Sequence, residues 1–123
     1  MSDAATYRSL NVWQKAMELA ERCYVATRPF PKEEQYGLTS QIRRCAVSVA
    51  ANIAEGYGRD SDGSFVQFLR VSQGSLKEFE THVILSERIG LMQETEAVAP
   101  LDRADETGKM LRGLIASIQV RSA

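Results

Sequence analysis

Apolar residues recur at spacings of three and four through four successive segments of this chain, and no segment reads as a strand. That period is the signature of helices that bury one face. In the first segment it runs through Val12, Ala16, Leu19, Ala20, Cys23, Tyr24 and Thr27. Asn11 stands where it can cap the free N–H groups, with Gln14 three positions on as in a capping box. Pro29 and Pro31 stop this helix because neither donates a backbone hydrogen bond. Phe30, between them, is expected to fold back onto the core.

The second helix has two possible starts, at Pro31 with Glu33 and Glu34 favouring the positive end, or at Leu38 after Gly37. Its inner stripe is Leu38, Ile42, Cys45, Val49 and Ile53, with Ala46, Ala50 and Ala54 beside it. Gly56 and Gly58 supply a C-terminal stop. The linker Arg59-Asp60-Ser61-Asp62-Gly63 is rich in capping residues and short enough to return the chain antiparallel. A third helix of roughly 25 residues, about 40 Å long, carries Phe65, Phe68, Leu69, Ser72, Leu76, Phe79, Val83 and Ser86 before a left-handed cap at Gly90. A fourth starts around Glu94 to Glu96, with Val98, Leu101, Ala104, Gly108, Leu111, Ile115 and Ile118 on its inner face. The expected fold is all-α: one antiparallel up-down-up-down four-helix bundle over residues 1–123, with residues 1–9 as a flexible N-terminus.

A chain of 123 residues makes one domain, and its 44% hydrophobic and 25% charged residues are those of a globular protein. Fifteen Lys and Arg against sixteen Asp and Glu leave a net charge of −1, which excludes a bulk polycation but not a local basic face. Cys23 and Cys45 lie within apolar periodic segments and read as buried free thiols. The opening residues lack a secretory pattern, and no apolar run approaches the ~20 residues of a membrane span. A cytoplasmic protein with no membrane contact is expected.

Cys45 to Ala54 carries no charge through almost three turns. A corner helix of a lone bundle should show water a polar face, as the third helix does with Arg70, Gln73, Lys77 and Glu80. Either this helix is alanine-rich for propensity alone, or another subunit covers its outer side through positions such as Ala50 and Ala51. Asn52 sits inside this run, where it is either a core amide bonded to a neighbouring helix or a device that sets register. Gly74 and Ser75 suggest a close helix approach.

Chemistry is hard to find. The single histidine, His82, follows Phe79 rather than a Glu at the third position, so the Glu-x-x-His pattern of di-metal bundles is missing. Glu78 lies one turn from His82, but these two on one helix do not make a di-metal site, and the cysteines lack zinc-ligand spacing. A solvated His82 is expected, with no metal, cofactor or small-molecule substrate. No base pairs with a nucleophile, and the Arg-then-His motif of HEPN-class ribonucleases is broken, Lys77 being the nearest upstream cation. Gly56-Tyr57-Gly58 lacks the Lys-Ser/Thr of a phosphate loop. Arg43, Arg44 and Arg59 against Glu55 give a local charge of +2 between Tyr36 and Arg59. They either bind phosphate, multiplied by oligomerisation, or answer the helix dipole and neighbouring acids.

The order Leu10-Asn11-Val12-Trp13-Gln14-Lys15-Ala16, Phe30-Pro31-Lys32-Glu33-Glu34-Gln35-Tyr36-Gly37-Leu38, Gln41-Ile42-Arg43-Arg44, Asn52-Ile53-Ala54-Glu55-Gly56-Tyr57-Gly58-Arg59, Phe68-Leu69 and Gly74-Ser75-Leu76-Lys77-Glu78 closely resembles the bacterial family of 23S rRNA intervening-sequence proteins. The resemblance extends to Leu91. It implies a ring-like homopentamer without catalytic activity. Some members are encoded in insertions of large-subunit ribosomal RNA genes. A related branch, the accessory variability proteins of diversity-generating retroelements, meets nucleic acid through a basic surface, from which this chain's net charge departs. The expected function is a non-catalytic homo-oligomer that binds RNA or an RNA-binding protein through Arg43, Arg44 and Arg59, with Asn52, Gly56, Ala50 and Ala51 as its packing signature. Two alternatives stand beside it: a protein-interaction scaffold, and a helical ribonuclease using Lys77 and His82.

Overall fold

The structure, a computed structural model, describes residues 6–123 and consists of helices and their connections, with no strand among the described residues. Four long helices form the body: α1 (Asn11–Thr27), α2 (Leu38–Tyr57), α3 (Asp62–Arg88) and α4 (Glu94–Ser122). Each helix packs on its chain neighbours, and α1 closes the bundle against α4. Contacts between helices pair late positions with early ones, which makes every neighbour antiparallel. Arg43 near the start of α2 reaches Tyr24 and Thr27 near the end of α1. Gly56 late in α2 lies on Phe65 and Phe68 early in α3, and Asp62 opening α3 binds Arg121 closing α4.

The helix boundaries follow local chemistry. Of the two possible starts for α2, Leu38 holds, and Lys32–Glu34 form only a 3₁₀ turn. The Leu38 N–H donates to the Glu34 carboxylate at 3.2 Å, so the acid answers the helix start from outside it. Ser61 caps α3 by accepting from the Ser64 N–H at 3.1 Å, and Gln93 with Glu96 forms a capping box on α4. Gly90 has φ +83°, the left-handed conformation that ends α3. Asn11 is not the cap expected of it. It is the first residue of α1, Leu10 stands at the cap position, and Gln14 instead donates to the Arg8 carbonyl at 2.9 Å. Tyr7–Ser9 form a 3₁₀ turn, with Tyr7 edge-on to Trp13. Of the stretch expected to be flexible, residues 1–5 lie outside the described residues.

The core runs along the bundle axis through Leu19, Ile42, Ile53, Leu69, Leu76, Phe79, Leu111 and Ile118, all fully buried. Phe30 folds onto it, and both cysteines are buried and free. Two expected inner positions face water. Tyr24 is exposed, and so is Val98, because Ala97 and Pro100 hold the inner face of α4. Val98 is six positions from buried Ala104, about 240° round the helix. Pro100 is tolerated inside α4 because the carbonyl it leaves without a helical donor belongs to exposed Glu96. Gly74, expected at a close helix approach, has open space where a Cβ would stand. The intimate contact is at Gly56, which is buried inside α2 and is not its stop; the helix continues to Tyr57 and ends on Gly58.

Candidate functional site

A groove of about 640 Å³ lies between α1 and α2. Trp13, Met17 and Tyr24 repeat along α1 at helical spacing, while α2 faces them with Val47, Ala50, Ala51 and Ala54. Side chains this small on α2 cannot fill the space between two helix surfaces, so the groove stays open. Ala50, only 3% exposed, belongs to its floor. Ala51 is exposed, Val47 is 44% exposed and Val25 is 49% exposed. The uncharged run of α2 therefore shows an apolar outer face to solvent. Arg28 and Glu21 bring charge to the lining.

The three arginines of interest have three different environments. Arg43 is half-buried and turned onto α1. Its Nε donates to Thr27 Oγ1 at 2.8 Å, and its guanidinium lies 4.5 Å from the centre of the Tyr24 ring. Thr27 is itself buried and donates to the Cys23 carbonyl, so Arg43 closes a polar chain at the end of the bundle. Arg59 is exposed but engaged, pairing with Glu55 at 2.9 Å and lying over Phe68. Arg44 is exposed and makes no hydrogen bond or ion pair among the described residues. Adjacent helical positions diverge by about 100°, which separates Arg43 from Arg44.

Asn52 is half-buried, and its amide donates to the Ser48 carbonyl at 2.9 Å and to Ser48 Oγ at 3.0 Å. The expected bond to a neighbouring helix is thus made within α2, and the link to α3 passes through Ser48, whose hydroxyl meets Ser75 Oγ at 2.9 Å. Deeper in the same seam, Ser72 donates to the Val49 carbonyl at 2.9 Å. Gly56 lets α2 and α3 touch: a Cβ there would stand 2.7 Å from Phe68 Cβ and 3.1 Å from Phe65 Cδ1.

The fold also joins residues that the sequence keeps far apart. Cys45 on α2 meets Glu78 and His82 on α3, and their ligand-type atoms all lie within 4.8 Å of one another. Cys45 Sγ donates to Glu78 Oε2 at 3.5 Å. Burial, then the neighbouring carboxylate, pushes the Cys45 thiol up to about 11, with Arg44 acting in the opposite direction. His82 is half-buried rather than solvated, and its buried Nδ1 has no hydrogen-bond partner among the described residues. An unsatisfied buried polar atom costs about 1–3 kcal/mol.

A model of the 23S rRNA-intervening sequence protein family matches residues 8–113. This chain belongs to that family. The family match spans the groove from Trp13 to Ala54, the three arginines and the Cys45–Glu78–His82 group, and it stops short of the Arg121 that ties α4 to α3. A solved structure shares the fold with a TM-score of 0.76, covering 85% of this chain and 97% of its own at 23% identity. It is a protein of unknown function from the S23 ribosomal protein family of Bacteroides thetaiotaomicron VPI-5482. No curated protein matches. No helix among the described residues is long and apolar enough to cross a membrane.

Sequence reasoning missed the groove wall on α1. Its signal was available as a second stripe, Trp13, Met17, Tyr24 and Arg28, at spacings of four, seven and four. It reads as part of an ordinary amphipathic helix until the facing alanines of α2 are in view.

Proposed function

We propose that this protein is a non-catalytic bundle that associates with copies of itself through the α1/α2 groove, forms a homopentameric ring, and presents Arg44 of each subunit to RNA or a ribonucleoprotein. The observation that carries this reading is the exposed apolar face made by Met17, Val25, Val47 and Ala51 around the groove. A continuous apolar surface of this kind marks an interaction site. Alanines at positions 51 and 54 allow a partner helix to come close. Self-association is favoured over a foreign partner because the family resemblance implies a ring, and a ring repeats every free cation. Among the described residues, Arg44 is the one of the three arginines without an acid or ring to hold it. A non-catalytic role is supported by Lys77, which pairs with Glu80 at 3.0 Å, and by His82, whose Nδ1 meets no orienting group.

Light scattering tests the assembly. The parent should elute with the mass of five 13.7 kDa chains, and Ala51→Glu should give a monomer of unchanged helicity. Ala50→Glu should instead unfold the chain, because Ala50 is in the packed interior. A parent that is monomeric at micromolar concentration rejects the ring. For RNA, each neutralised phosphate adds about 0.7–0.9 to the salt slope of log affinity, and linked sites raise avidity by about 10²–10⁴. Arg44→Glu should therefore remove salt-dependent RNA binding while the ring persists. An intact Arg44→Glu ring that binds RNA as well as the parent leaves only the protein-scaffold reading.

A further inference from the structure

We propose that Cys45, Glu78 and His82 form a mononuclear site for a divalent transition cation of the zinc class, with a fourth position open to water. The three side chains offer one sulfur, one oxygen and one nitrogen, and these atoms converge to within 4.8 Å of one another. That mixed set suits a borderline-soft cation and not calcium or magnesium, which take oxygen ligands. Bond lengths of about 2.0–2.3 Å at tetrahedral angles put donor atoms about 3.3–3.6 Å apart. Cys45 Sγ and Glu78 Oε2 already stand at 3.5 Å. Glu78 and His82 are four residues apart and so share one face of α3, which sets an imidazole nitrogen within 4.8 Å of both other donor atoms.

A second observation also favours a ligand here. His82 Nδ1 is buried yet has no hydrogen-bond partner among the described residues, which leaves this nitrogen for a cation. Glu78 is exposed, which leaves a path for the ion and room for water at the fourth position. On binding, the Cys45 S–H bond breaks, a sulfur–metal bond forms and the proton leaves to solvent, with no change of oxidation state. The cation then separates the thiolate from the carboxylate that otherwise crowds it. Because Cys45 comes from α2 and the other two ligands from α3, the ion would tie these helices together beside the Ser48–Ser75 contact. This site lies between α2 and α3, apart from the groove between α1 and α2.

The test uses the full chain, stripped with a chelator and titrated with Co²⁺ as an optical probe, then with Zn²⁺ in competition. One Co²⁺ per chain should bind, with a sulfur-to-cobalt charge-transfer band and the strong visible bands of four-coordination, and Zn²⁺ should erase both. Cys45→Ser should abolish the charge-transfer band, while Cys23→Ser should keep it. Glu78→Gln and His82→Ala, at exposed and half-buried positions, should each fold and weaken Zn²⁺ binding by at least the about 10–100-fold that an outer-shell partner contributes. No charge-transfer band at saturating Co²⁺, a band that survives Cys45→Ser, or undiminished Zn²⁺ affinity in both α3 variants rejects the site.

Discussion

Replacing one glycine by alanine at two places in this bundle should have opposite effects on stability. At Gly74 a new Cβ meets nothing within 4 Å. Only the backbone term remains, and it favours alanine over glycine in a helix by about 0.8–1.0 kcal/mol. At Gly56 the same gain is opposed by contact. The Cβ would stand 2.7 Å from Phe68 Cβ, 3.1 Å from Phe65 Cδ1 and 3.3 Å from the Phe65 carbonyl oxygen. Two of these atoms are anchored to the backbone of α3, so no rotamer change removes the clash, and α2 and α3 must separate. Overpacking of a core costs about 1–3 kcal/mol, and the short approach to Phe68 argues for the upper part of that range. Gly56→Ala should then be about 1–2 kcal/mol less stable than the parent and Gly74→Ala about 1 kcal/mol more stable. Urea unfolding followed by circular dichroism reads both, at one fixed protomer concentration so that association does not enter the comparison. A Gly56→Ala protein as stable as Gly74→Ala would refute the close packing of α2 on α3.

Three further outcomes follow from particular contacts. Arg121, then Ser122, holds the Asp62 carboxyl down to about 2, below its ordinary value near 3.8. Its folded pKa is depressed, so the stabilisation is complete above about pH 4 and fades as pH falls towards 2. Asp62→Asn should flatten the melting temperature against pH in that window, and an unchanged acid limb would count against the pair. Burial pushes the Cys23 thiol up to about 12, and Cys45 also lies high. Neither thiol should react with an aromatic disulfide reagent at pH 8 until urea is added, and reaction at the unfolded rate in native buffer would contradict their burial. Finally, Arg43→Ala loses both the Thr27 bond and the stack on Tyr24, so it should cost about 1–2 kcal/mol. Arg44→Ala should stay within about 0.5 kcal/mol, and equal losses measured by urea unfolding would show that the two arginines are not distinguished in this way.

The four helices, the turn at Gly90, the capping-rich linker from Arg59 to Gly63 and the burial of Phe30 were all legible from the sequence, because each depends on residues within a few positions of one another. Apolar spacing, capping and the conformational freedom of glycine act along one stretch of chain, and they need no knowledge of what lies opposite. Even the ambiguous start of α2 was a local ambiguity, and a local contact between Glu34 and Leu38 decides it. The resemblance to the 23S rRNA-intervening sequence proteins was legible for the same reason, as ordered short motifs.

What only the tertiary structure decided concerns the rotation and register of one helix against another. Gly56 reads as a stop when viewed alone and becomes a contact point only when Phe68 of α3 is 2.7 Å from its missing Cβ. Arg43 and Arg44 look alike in the chain, yet the placement of α1 hands Thr27 and Tyr24 to one and solvent to the other. Val98 fits the spacing rule but lies off the inner face that Ala97 and Pro100 occupy. Cys45 is separated from Glu78 by a turn and most of two helices, and antiparallel packing sets them side by side. Spacing along a chain cannot encode such a meeting, since a shift of one residue in register between α2 and α3 would move it by about 1.5 Å along the axis and about 100° around it.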